Sequence, residues 1–160
     1  MKILYLHGYK AKPNYERIDY LKSLGHVVMA PHIDYDEEPE VLLELLELNY
    51  DMVVGSSLGA YMAFYISDYK SVPCVCFNPP LFRELKIEMK LPENWDYESI
   101  IPQYKDIVVG GKDDVVNAID TINWLVENRP TANVHVLDDM THSIKMDEFI
   151  GIMEMVLNRN

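Results

Sequence analysis

Six short apolar runs punctuate this sequence, and most of them are separated by stretches with helical spacing. The runs cover residues 3–6, 27–30, 52–54, 72–77, 107–109 and 134–137; the helical stretches cover 15–24, 41–48, 58–68, 116–127 and 146–157. In the first helical stretch Ile18, Leu21 and Leu24 recur at three-residue intervals, and Gly25 supplies the stop. The run at 72–77 is apolar almost throughout, as a strand covered on both faces must be. Strands joined through helices pair in parallel, and their crossover helices cover both faces of the sheet. The expectation is a three-layer α/β/α sandwich around a mainly parallel six-strand sheet, ordered 2-1-3-4-5-6.

At 160 residues the chain suits a single domain, 1–160, large enough to bury a real core. One segment breaks the rhythm. Residues 79–104 separate two core strands and carry four prolines, with Leu81, Phe82, Leu85, Ile87, Met89, Leu91 and Trp95. That is too long for a plain connection and too apolar for a solvated linker. It reads as a short helical insertion, either a lid over a binding site or added packing.

Charge excludes one class of partner. With 14 basic and 26 acidic side chains the net charge is −12, against the clustered Lys and Arg that nucleic acid demands. The two cysteines, Cys74 and Cys76, lie two apart in an apolar run and read as core-filling thiols on one strand face. The apolar run near Met1 is too short for a secretion signal, and no stretch approaches the ~20 apolar residues of a membrane span. The expected setting is a soluble, reducing cytoplasm without membrane partners.

The strongest chemical signal is Gly55-Ser56-Ser57-Leu58-Gly59, a G-x-S-x-G pattern between an apolar run and a helical stretch. A serine at a sharp strand-to-helix turn has strained backbone angles, and the flanking glycines let neighbouring chain pass close by. The turn lifts the hydroxyl above the sheet, beside the partial positive charge of a helix N-terminus. Ser56 has glycines at the wrong offsets, so Ser57 is the candidate nucleophile.

A nucleophilic serine needs a base and a group to orient it, in the chain order serine, acid, histidine. Only His135 and His142 follow Ser57. His135 alternates with Val134 and Val136 inside a strand and is expected to pack or pair at a sheet edge. His142 lies in the loop after that strand, where ligands meet a parallel sheet, and is the candidate base. The acid should follow the run at 107–109, where Asp113 is preferred and Asp114 points one residue further round the turn. One of the two is expected to cap the helix that starts near Val116. Leu6-His7-Gly8-Tyr9 ends the first strand, so the backbone N–H groups of Tyr9 and Leu58 are candidates for an oxyanion hole. His7 is expected to hold that loop by hydrogen bonds.

The runs Tyr5-Leu6-His7-Gly8-Tyr9, Val54 to Tyr61, Phe77-Asn78-Pro79, Gly110-x-x-Asp113 and Thr141-His142 together resemble the small bacterial YqiA/YcfP-like esterases. The likeness extends over nearly the whole chain. It implies a minimal α/β-hydrolase fold, activity on short acyl esters, and Ser57, Asp113 and His142 as a catalytic triad. Family members often carry a second glycine after the elbow where this chain has Ala60, a difference that bears on substrate shape. The expectations that follow are a small-molecule acyl substrate, no metal or organic cofactor, and a monomer or homodimer. The apolar side chains Leu81, Phe82, Leu85 and Trp95 are expected to wall the acyl pocket.

Overall fold

In the computed structural model, which describes residues 1–93, 104–128 and 131–159, strand alternation sorts the apolar side chains into two layers. The elements run β1 (Lys2–Leu6), α1 (Tyr15–Ser23), β2 (Val27–Met29), α2 (Val41–Glu47), β3 (Met52–Ser56) and α3 (Leu58–Lys70). They continue with β4 (Cys74–Phe77), β5 (Lys105–Gly110), α4 (Ala118–Asn128), β6 (Asn133–Leu137) and α5 (Met146–Leu157). All five strand pairings are parallel and the order is β2-β1-β3-β4-β5-β6, as the alternation requires.

Successive residues of a strand point to opposite faces. Ile3, Tyr5, Val54, Val75, Phe77 and Val108 therefore pack on one side, against Ile18 and Leu21 of α1 and Phe149, Ile152 and Met153 of α5. Leu4, Leu6, Val53, Cys74, Cys76, Ile107 and Val109 pack on the other, against α2, α3 and Leu125 of α4. Both cysteines are free and buried there, with Sγ atoms 3.6 Å apart. Two buried layers sandwich one sheet. No helix among the described residues is long and apolar enough to cross a membrane.

Local signals set the helix boundaries. The Asn14 side chain accepts from the Arg17 N–H and starts α1, and the Glu148 carboxylate accepts from the Lys145 N–H at the start of α5. Helix α4 begins at Ala118, two residues later than expected, because the Asn117 side chain caps the amides of Ile119 and Asp120. Neither Asp113 nor Asp114 caps it.

The expected helix in the insertion is absent from its described part. Residues 79–93 form turns, bends and irregular chain. The reason lies in the sequence: Leu85, Ile87, Met89 and Leu91 alternate with Lys86, Glu88 and Lys90, a period of two and not of 3.6. Leu85, Ile87 and Met89 pack on the α2–α4 layer, and Leu81 enters it outright at 4% exposure. The backbone N–H of Lys90 donates to the Pro39 carbonyl, holding the segment to the start of α2.

Candidate active site

Five strand ends converge on one place. Because the strands run in parallel, the loops after β1, β3, β4, β5 and β6 all emerge at the carboxyl edge of the sheet.

Ser57 occupies the single residue between β3 and α3, with φ 53° and ψ −121°. This is a sparsely populated conformation for a residue with a side chain, costing about 1–3 kcal/mol. The turn closes only because its neighbours lack side chains. A Cβ on Gly55 would lie 2.3 Å from the Gly59 carbonyl oxygen, and one on Gly59 would lie 2.4 Å from the carbonyl oxygens of both Leu6 and His7. The Ser57 N–H donates to the Phe77 carbonyl at 2.9 Å, which pins the turn to the end of β4. Helix α3 starts at Leu58, so its positive end abuts the serine.

His142 and Asp113 meet Ser57 in a line. His142 Nε2 is 3.1 Å from Ser57 Oγ, and His142 Nδ1 is 2.9 Å from Asp113 Oδ2. The Asp113 side chain is fully buried and that of His142 is about a quarter exposed. Asp113 Oδ1 accepts from the Val115 and Val116 amides at 2.8 Å each, so neutral backbone donors close the turn and fix the carboxylate. Asp114 is exposed. His135 lies elsewhere, with Nε2 2.7 Å from Asp106 Oδ1.

The loop after β1 lies against the elbow. A Cβ on Gly8 would meet the Ser57 Cβ at 3.2 Å, and Tyr9 and Leu58 flank Ser57 in the same cleft. Among the described residues neither the Tyr9 nor the Leu58 amide donates a hydrogen bond within the chain. The Ile33 N–H donates to His7 Nε2 at 2.9 Å, so His7 Nδ1 carries the proton and donates to the Gly8 carbonyl at 2.8 Å. Burial lowers the His7 pKa and favours this neutral form. The Tyr35 hydroxyl donates to the His7 carbonyl, and burial pushes that phenol well above its usual range. Both contacts hold the loop in place.

One residue of the Phe77-Asn78-Pro79 run has no role assigned from the sequence. Asn78 follows β4 with φ 50° and is 1% exposed. Its side chain accepts from the Gly110 N–H at 2.8 Å and donates to the Thr141 carbonyl at 3.1 Å. It therefore ties the turn that bears Asp113 to the loop that bears His142. The available signal was a lone amide at a strand end followed by Pro79 and Pro80.

Beside Ser57 opens a cleft of about 350 Å³ walled by Pro80, Leu85, Ile87, Val115 and Val116. Arg83 donates to the Val115 carbonyl, bridging the 79–93 segment to the β5–α4 turn. Of the four side chains expected on this wall, Leu85 lies on it. Leu81 does not, because the α2–α4 core takes it. Phe82 does not, lying instead under the Arg83 guanidinium, 5.2 Å from its ring centre. Trp95 falls outside the described residues. Ile87, Val115 and Val116 replace them.

A parallel sheet with a serine elbow after its third strand defines the α/β-hydrolase fold. Solved structures of that fold match closely in shape at low identity. The mouse alpha/beta hydrolase domain-containing protein 10 matches at 14% identity and TM-score 0.70, over 98% of this chain and 88% of its own. The methylesterase protein MES16 from Arabidopsis matches at 12% and 0.66, over 98% and 99%, and esterase PE8 at 17% and 0.66, over 98% and 91%. At such identities the likeness speaks for the fold alone. The chain belongs to the uncharacterised protein family UPF0227, whose family model matches residues 2–109. No curated protein matches it significantly.

Proposed function

We propose that this chain is a serine hydrolase that cleaves small acyl esters or thioesters through an acyl-enzyme on Ser57. The observation that carries the reading is the unbroken line from Asp113 through His142 to Ser57, ending on a serine with φ 53°. A hydroxyl is a poor nucleophile until a base takes its proton. Ser57 Oγ attacks the acyl carbon while its proton passes to His142 Nε2, and Asp113 holds the imidazole in the tautomer that can accept it. The amides of Tyr9 and Leu58 stabilise the oxyanion, and His142 returns the proton to the departing oxygen or sulfur. Water, deprotonated by the same histidine, then releases the acid and restores Ser57. No metal or organic cofactor enters the scheme. The apolar cleft beside Leu85 takes the acyl chain, and its modest volume suits short ones.

The test is turnover of p-nitrophenyl butyrate. Ser57→Ala should lower kcat/KM by a factor on the order of 10⁴ or more while the fold survives, and Ser56→Ala should keep most activity. Equal turnover by the Ser57 variant and the parent would end this reading.

A further inference from the structure

A second limb of the cleft, about 360 Å³, also borders Ser57 and is lined in part by Gly8, Asn14, Arg17, His142 and Ser143. His142 lines this limb and not the apolar one. The histidine that protonates a departing oxygen must face it, so this limb holds the leaving group.

Arg17 is the unusual member. It is 8% exposed, yet its guanidinium meets only neutral groups. Nη1 donates to the Tyr5 hydroxyl at 3.3 Å, Nη2 donates to the Ile144 carbonyl at 2.5 Å, and the Phe149 ring centre lies 5.4 Å away. Nε is buried and has no hydrogen-bond partner. Among the described residues Arg17 forms no ion pair, in a chain with 26 acidic side chains. Among the described residues the other buried cation, Lys105, is neutralised by Asp68 at 2.8 Å. A buried charge without a counter-charge is costly, and the planar guanidinium is the group best suited to a carboxylate. Asn14, which also lines the limb, spends its side-chain oxygen on the Arg17 amide, so its NH₂ is not used by that bond.

We infer that the preferred substrates are esters whose leaving group carries a carboxylate, with Arg17 as its counter-charge. This rests on the hydrolase reading above and names the leaving group that the site serves.

The test compares 3-acetoxybenzoate with its neutral isostere 3-acetoxybenzamide. Both transfer acetyl to Ser57 and release a phenol; only the first phenol bears a carboxylate. Each kcat/KM is divided by that ester's hydroxide-catalysed rate. The parent should favour the anionic ester by about tenfold, the worth of a charge-assisted hydrogen bond. Arg17→Met should bring the ratio to one or below, and Arg17→Lys should keep part of it. Because Arg17 also holds the Ile144 carbonyl two residues after His142, both rates are expected to fall in Arg17→Met, and the ratio is the readout. A parental ratio of one, or a preference unchanged in Arg17→Met, overturns the inference. Should Arg17→Met fail to fold, product inhibition of the parent decides. Stronger inhibition by 3-hydroxybenzoate than by 3-hydroxybenzamide upholds the inference, and equal inhibition overturns it. Turnover of both esters alike counts against the Arg17 assignment only, whereas turnover of neither counts against the hydrolase reading itself.

Discussion

Strands β5 and β6 carry two histidine–aspartate pairs, one near each end. His142 and Asp113 lie 2.9 Å apart in the loops at the carboxyl edge, and His135 and Asp106 lie 2.7 Å apart within the strands towards the amino edge. Each pair spans 29 residues, and each carboxylate is almost wholly buried. The third partner separates them. Asp106 Oδ1 also takes Arg159 Nη1 at 2.6 Å, so a full cation already answers its charge. Asp113 is met by two neutral amides and keeps its charge for the imidazole. At the amino edge the pair closes a clamp on the end of α5. At the carboxyl edge the outer imidazole nitrogen reaches a hydroxyl. Residue types alone do not make chemistry; the remaining neighbour of the carboxylate and of the ring decides it.

Substitution at matched positions tests this contrast, and the histidines should differ most. His142→Ala should cost activated-ester turnover a factor on the order of 10⁴, and adding Ser57→Ala should cost little more, because the two act as one unit. His135→Ala should turn over esters at close to the parental rate. Comparable losses in the two single variants would erase the distinction.

The aspartates come next. Asp113→Asn should lower kcat by up to about 10⁴-fold through the wrong imidazole tautomer, and Asp114→Asn should barely change it. Asp106→Asn should spare turnover and lower unfolding stability by about 1–3 kcal/mol, since a buried group loses charged partners. Denaturant titration beside a kinetic assay separates these outcomes.

Asn78→Ala should fall between the two classes, with kcat down about tenfold and stability down about 1–3 kcal/mol, because it strands the Gly110 amide and frees the His142 loop. A stability loss without any change in kcat would make Asn78 a structural strap alone. The smallest effect belongs to the cleft wall. In the parent, kcat/KM should rise from acetate towards butyrate, each buried methylene contributing about 0.8 kcal/mol, and Leu85→Ala should flatten that rise. A chain-length profile unchanged in Leu85→Ala would move the acyl chain off this wall.

The fold was legible because period-two and period-3.6 patterns alternate cleanly through β3, α3 and β4. Ser57 and His142 were legible as candidates because each follows directly from strand order: an elbow after the third strand, a loop after the last. The walls of the site were not. Leu81 and Phe82 carry the same apolar label as Leu85, and only the packed α2–α4 layer decides which of them it absorbs. Arg17 and Asn78 act across long sequence separations, meeting Ile144 and Thr141, and no local pattern encodes such contacts. The insertion's apolar content alone suggests a helix, but its charges alternate with a period of two, and the described part forms turns, bends and irregular chain.

The central claim is that Ser57 is activated by His142 and Asp113, and covalent labelling tests it most directly. A fluorophosphonate reacts only with an activated serine, losing fluoride as phosphorus bonds to Oγ. Mass spectrometry of the treated parent should find one adduct, on the peptide that contains Ser57, with labelling slowed by orders of magnitude in His142→Ala and absent in Ser57→Ala. A folded parent that stays unlabelled, or an adduct that persists in Ser57→Ala, would contradict the account.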